Sequence, residues 1–352
     1  MWNATGGWSD GSDGFLMAPG ARIVGRAGDS YKMSISIPTE EHGFLGRQCP
    51  RCRQSYRVEA DAHQGLPDDA ELWCVYCGHH DDPNEFLTQQ QLDRAVRAVE
   101  DLGVQLIGQE LDRAFGGIAS RRPRHRSGFG IQITYRSKPF YPEPLPGIDE
   151  EKLIRVRTCA DCSLRYAVFG EHRFCPACGQ LPPMIVALDA LAAETARLDL
   201  LKQLPAQTAA HAREQGVFTR LWVDTLENLV GVVEALGSAV FRGTVADADQ
   251  RLRGKNNIFQ RLVDLADLFV DAGYPDLRDR VDAQQWQRLI KFWATRHVFT
   301  HNDGLVDDKF LAKVPASTAR VGQRLTITEE LCRQAIADTE ALCRALVGLT
   351  KP

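Results

Sequence analysis

No run of ~18 apolar residues occurs in this chain, so no segment reads as a membrane-spanning helix. The first twenty residues lack both a basic start and an apolar stretch, and no secretory leader is expected. Net charge is −4 over 352 residues, which excludes a chain basic throughout that binds nucleic acid by bulk charge. Glycine-rich phosphate loops, a Ser-His-Asp set and a His-Glu-x-x-His motif are absent. Gly25-Arg26-Ala27-Gly28 is too short for a dinucleotide loop and lacks its strand–helix setting. What remains is a soluble globular composition, 44% hydrophobic and 25% charged, long enough for two or three domains.

Cysteine is the residue type the chain does have in pattern. Eight of the ten form four C-x-x-C pairs: Cys49/Cys52 with Cys74/Cys77, and Cys159/Cys162 with Cys175/Cys178. The two sets repeat one another. A tyrosine and a valine follow at fixed offsets (Tyr56, Val58; Tyr166, Val168), an aromatic precedes the third cysteine (Trp73; Phe174), and glycine follows the fourth (Gly78; Gly179). Two residues between cysteines let both thiolates of a tight turn face one ion, and glycine permits the positive φ such a turn needs. The pattern reads as two zinc ribbons, each a closed Cys₄ site holding one structural Zn²⁺. Four thiolates saturate the ion, leaving no position for a catalytic water, so no catalytic metal is expected. Loops of 21 and 12 residues separate the knuckles. Disulfides are the rival reading, disfavoured for C-x-x-C knuckles in an intracellular chain. Thiolate–zinc chemistry, with no leader and no span, points to the cytoplasm. His79, His80 and His172 read as surface histidines near the knuckles.

Along the chain, residues 1–33 read as disordered, 34–88 as the first ribbon, and 89–118 as a connecting helix carrying Leu92, Val96, Val99, Leu106, Leu111 and Phe115. Residues 119–151 form a basic and proline-rich linker, with an alternating strand pattern at Phe129–Tyr135. Its run Arg121, Arg122, Arg124 and Arg126, beside Phe129, Tyr135, Phe140 and Tyr141, suits RNA phosphates and base stacking; a solvated hinge is the alternative. The second ribbon spans 152–182. From 184 to 352 the periodicity is helical, with helices read at 184–203, 217–241, 247–272, 282–302 and 327–348. Cys332 and Cys343 read as buried core thiols. The predicted fold is therefore an α+β N-terminal module with two zinc ribbons, followed by an all-α bundle.

One helix ends in Trp293-Ala294-Thr295-Arg296-His297-Val298-Phe299-Thr300-His301-Asn302-Asp303-Gly304. The segment resembles the Arg-x4–6-His signature of HEPN domains, all-helical proteins of which many are metal-independent endoribonucleases. Arg296-x4-His301 supplies the pair, His297 the polar residue after the arginine, and Asn302-Asp303-Gly304 with Asp307 the family's following segment. Two other matches, from Arg57 to His63 and from Arg165 to His172, fall inside the ribbons. Position late in a helical region selects the third. The resemblance covers 184–352 and implies RNA cleavage by 2′-hydroxyl attack, giving 2′,3′-cyclic phosphate ends. In it Arg296 and His301 are catalytic, His297 is auxiliary, Asn302 orients the backbone or His301, and two protomers form the RNA cleft as a homodimer. The family's biology adds a toxin or antiphage role.

Physical chemistry agrees that an imidazole can move protons near neutrality and that a guanidinium can hold phosphoryl oxygens. Five residues of helix separate the two by about 7.5 Å of rise and ~140° of rotation, so they do not share one stripe. Asp224 or Glu227 is a candidate buttress for Arg296. Two alternatives stand beside the nuclease. One is a non-catalytic adaptor whose ribbons bind nucleic acid or protein while the helical domain dimerises; the other is a zinc-ribbon transcription regulator.

Overall fold

The computed structural model describes residues 14–39, 43–65, 67, 69–119, 140–148 and 155–350. It divides into two compact units. One holds residues up to Phe169 with Phe174–Gly179, the other Gly170–Arg173 with Gln180 onward. The strand expected at Phe129–Tyr135 and the basic run Arg121–Arg126 lie outside the described residues.

Unit 1 opens with a correction. Where 1–33 read as disordered, β1 (Ala21–Ala27) and β2 (Ser30–Ile35) form an antiparallel hairpin. Gly28, with φ +59, starts its two-residue turn, and the register shifts between Ile23 and Gly25. The low-complexity composition belongs to residues ahead of this hairpin, whose Met33 and Ile35 pack against Ala18, Ala98 and Leu145.

The ribbons share one sheet. Strands β3 (Phe44–Gln48) and β4 (Ser55–Glu59) make one hairpin, followed by the short helix α1 (Ala60–Gln64). After β5 (Leu72–Trp73), β6 (His80–Asp81) and the long helix α2 (Gln89–Ala119), β7 (Val156–Thr158) and β8 (Arg165–Ala167) make the second hairpin. The order β3-β4-β8-β7 is symmetric about its middle. Gln48 pairs with Ser55 as Thr158 pairs with Arg165, and the two hairpins join through Arg57–Ala167 and Val58–Tyr166. The repeat seen in the sequence is thus a pseudo-two-fold in space. Tyr56 and Tyr166 are both fully buried, and Tyr56 meets Tyr76 and Phe86 edge-on at 6.5 and 6.3 Å.

The second knuckles complete the symmetry by exchange. Phe174, in β9 (Phe174–Cys175), lies over Gly78, while Trp73 lies over Gly179, where β10 (Gly179–Gln180) begins. The two rings stack, centroids 6.1 Å apart at 15°. A Cβ at Gly78 would sit 2.5 Å from Phe174 Cζ, and one at Gly179 3.2 Å from Trp73 Cε2. Both glycines also have positive φ, +72 and +82.

Unit 2 is helical: α3 (Pro183–Lys202), α4 (Ala206–Glu214), α5 (Val217–Thr244), α6 (Ala248–Leu252), α7 (Leu262–Asp271), α8 (Ala283–Asn302), α9 (Asp308–Lys313) and α10 (Glu329–Gly348). A continuous apolar stripe on α5 (Leu226, Leu229, Val230, Val233, Leu236, Phe241) is the axis of the core, packed by residues of α3, α7, α8 and α10. The helix read over 247–272 is in fact two, because Gly254 and Asn257 take left-handed φ of +77 and +55 and break the ladder between them. Helices α4 and α9 are additions to the five expected. Cys332 and Cys343 lie in the core, and burial pushes both thiols up to about 12. His172 is corrected from surface to buried: its Nδ1 lies 2.9 Å from Asp189 of α3, both side chains being sealed from solvent.

The exchanged rings make a sharp expectation. Gly78→Val should destabilise unit 1 by about 3 kcal/mol or more, from left-handed backbone cost plus overpacking. Gly231→Ala, on the exposed face of α5 with nothing within 4 Å of the new Cβ, should be neutral or stabilise by up to ~1 kcal/mol. Urea unfolding of both variants checks the pair, and equal responses would contradict the close approach at Gly78.

Candidate functional site

Two places on the chain concentrate chemistry: the cysteine clusters and the C-terminal end of α8. The eight C-x-x-C cysteines gather four and four, each set with all sulfur atoms within 4.8 Å of one another. In the first, Cys49–Cys77 and Cys52–Cys74 are 3.7 and 3.6 Å apart. In the second, Cys159–Cys178 and Cys162–Cys175 are 3.5 and 3.6 Å apart. These are free thiols at ligand spacing, far outside bonded S–S distance. Each first knuckle is closed by a non-glycine residue in the left-handed region, Arg53 (φ 63) and Ser163 (φ 62), at equivalent positions. Sequence reasoning located the glycines of the second knuckles but not these, whose side chains carry no signal for the conformation.

Within each tetrad the thiols differ in how readily they ionise. Burial raises those of Cys49, Cys74 and Cys175 and lifts Cys178 to about 12. For Cys77 and Cys159, burial is outweighed by backbone and thiol hydrogen bonds, and the pKa falls. A cation that displaces the protons is the natural complement to such a set, and each tetrad is suited to holding one structural metal ion.

At the end of α8, the chain is fixed by three tethers. Arg288 grips the buried Asp338 of α10 with two bonds of 2.8 Å. Trp293 Nε1 donates to the Gln260 carbonyl at 2.9 Å, and Thr300 Oγ1 donates to Glu227 of α5 at 2.8 Å. Asp303 (φ 49) and Gly304 (φ 79) then turn left-handed, their N–H groups closing on the Val298 carbonyl. Ala294 and Val298 pack on Val306 and Phe310, which seats α9 beside the helix end.

His297 and His301 stand one turn apart with ring centroids at 4.7 Å. Burial lowers the pKa of His297; the neighbouring His301, Lys313 and Arg296 lower it further, against the carboxylate of Asp307. Arg296 is half-buried, its Nε is sealed from solvent without a hydrogen-bond partner, and it joins no ion pair among the described residues. No hydrogen bond links it to His301. It lies one turn before Thr300, on the flank that meets α5, and the Glu227 offered as its buttress bonds Thr300 instead. Asp224 makes no bond to Arg296 either. Asn302 is exposed and donates through Nδ2 to the Leu305 carbonyl at 2.5 Å, a loop-closing role. Lys313 was invisible beforehand because α9 itself carried no periodic signal.

Searches against protein-family models, curated proteins and solved structures return no match. Among the described residues, no helix is long and apolar enough to cross a membrane. Structure therefore establishes a small-sheet module with two four-cysteine clusters and a mostly helical second unit.

His297 is expected to titrate below 6.5 in an NMR pH series, and Lys313→Met should shift it upward. An unmoved value would contradict the crowding of cations around it. The linkage has a definite sign. Because the unfolded chain takes the proton more readily, the stability His297 contributes is complete above about pH 6.5 and is lost as pH falls from there through the folded value.

Proposed function

We propose that this chain is a zinc-stapled homodimeric endoribonuclease of the HEPN type that cleaves RNA without a catalytic metal. The single observation that carries the reading is the end of α8: an unpaired, half-buried guanidinium at Arg296 followed within five residues by two facing imidazoles. A guanidinium left without a carboxylate in a partly desolvated place is a binding group awaiting an anion.

The chemistry needs no cofactor. The substrate's own 2′-hydroxyl attacks phosphorus, the 5′-oxygen leaves, and a 2′,3′-cyclic phosphate forms. His297, held neutral by burial and neighbouring cations, accepts the hydroxyl proton. His301, on the open end of the helix, returns a proton to the leaving oxygen. Arg296 stabilises charge on the phosphoryl oxygens. Since Arg296 and His301 are ~140° apart on α8, one protomer's arginine and the other's histidines complete a shared cleft. Asn302 serves the loop that frames it. Cytoplasmic RNA would be the substrate, with the Arg121–Arg126 run as a further phosphate contact and a toxin or antiphage role as the setting.

Zinc is the ion that suits the two tetrads. Four sulfurs placed tetrahedrally at 2.3 Å from zinc lie about 3.8 Å apart, and the closest pairs here are 3.5 to 3.7 Å. Metal analysis should find two zinc ions per chain, and Cys77→Ser should lose one. One or none in the parent protein would break the assignment.

A specific observation also favours the adaptor reading: Thr300, Asn302, Asp303 and Gly304 satisfy the end of α8 as an ordinary helix terminus. RNA cleavage in excess EDTA, with folding followed by circular dichroism, separates the two. The nuclease predicts cyclic-phosphate ends and rates lowered about 10²–10⁴-fold by Arg296→Ala or His301→Ala. A folded protein inactive on varied RNAs, or variants that cleave as the parent does, would favour the adaptor.

A further inference from the structure

Helix α2 carries a face that the described residues leave uncovered. Its first half is anchored: Gln91 donates to the Gly46 carbonyl at 2.9 Å, Arg94 to those of Ser36 and Pro146 at 2.9 and 2.7 Å, and Ala98, Asp101 and Leu102 are buried. From Gly103 to Ala114 no side chain is buried. Yet Leu92, Val96, Val99, Val104, Ile107 and Leu111 are large, apolar and 41 to 63% exposed. A continuous patch of this kind on a helix marks an interaction surface.

We infer that this face docks on the same face of a second copy of the chain, the two α2 helices crossing antiparallel at Gly103–Val104. Three observations identify the partner. First, the apolar positions are nearly palindromic: reflection about Gly103–Val104 sets Leu92 against Phe115 and Val96 against Leu111, and places Ile107 opposite Glu100. A two-fold axis requires a self-complementary surface of this type. Second, a glycine stands at the centre. Gly103 has nothing within 4 Å of where a Cβ would be, and glycine inside a helix costs about 1 kcal/mol. Close approach of two backbones at that point offsets the cost. Third, the area is sufficient. The six side chains expose roughly 500 Å² per copy, so a pair buries about 1,000 Å², the threshold of a specific interface. Glu100 falls inside the stripe, with Asp93 and Glu110 in the same angular range, and the contact must accommodate these carboxylates.

The inference stands apart from the nuclease reading, which places its dimer contact at α8. Sedimentation of the full-length, metal-loaded chain tests it. The parent should dimerise, and Ile107→Glu should weaken dimerisation at least about 100-fold, as burying an unpaired charge requires. Glu100→Leu should tighten it. Gly103→Cys should form an interchain disulfide on mild oxidation that the parent does not form, which reads the crossing point without depending on a destabilising change. A monomer at every concentration overturns the proposal and means that this chain itself covers the face. A dimer indifferent to Ile107→Glu, with no cross-link at position 103, also overturns it and places the contact elsewhere, leaving the RNA-cleavage test unaffected.

Discussion

Strands of three to five residues cannot sustain a sheet on their own hydrogen bonds, and β3, β4, β7 and β8 are of that length. What the N-terminal unit has instead is eight sulfur atoms drawn into two tetrads, one at the end of each hairpin. The four-stranded sheet and its knuckles are arranged around holding those sulfurs in place. The tight turns at Arg53 and Ser163 accept left-handed backbone, the tyrosines fill the space between sheet and knuckles, and the central β4–β8 pairing ties one tetrad to the other. Four thiols gathered at ligand spacing are a poor end state for a protein but a good preparation for an ion, whose binding energy then becomes folding energy.

The second unit solves the same problem by other means. Its stability resides in a broad apolar core around α5, where Leu226, Leu229 and Phe241 are fully buried. A core of that size tolerates polar groups at its margins. Asp338 can be buried because Arg288, Gln285 and Gln334 answer it. The same tethers make α8 a rigid mount, so the groups at its end are positioned by packing rather than by a flexible loop. A helix terminus with two imidazoles and an uncommitted guanidinium is then a fixed electrostatic feature, whichever ligand meets it.

How far the sequence discloses this depends on the range of each interaction. Metal-ligand spacing is local, so Cys49 through Cys178 were legible in full, as was the core placement of Cys332 and Cys343. Long amphipathic helices such as α5, α8 and α10 were legible from period alone. Three features were not. The hairpin at Ala21–Ile35 follows a glycine- and serine-rich opening that masked its alternation. The break inside 247–272 turns on Asn257 adopting a left-handed φ that its residue type only permits. His172 is buried because Asp189 of α3 reaches it, a pairing across 17 positions that no periodicity encodes. The Arg–His motif was visible as a string, but that Thr300, not Arg296, would receive Glu227, and that Lys313 would stand near His297, required the tertiary packing of α5 and α9.

The exchanged aromatic rings have a historical consequence. If the two cysteine hairpins descend from a tandem duplication, each copy now supplies the lid over its sibling's glycine turn, Phe174 over Gly78 and Trp73 over Gly179. Deleting either copy would strip the survivor as well, so the doubled state is self-locking. The stretch between the copies supplies neither lid, and it is there that the long helix α2 stands.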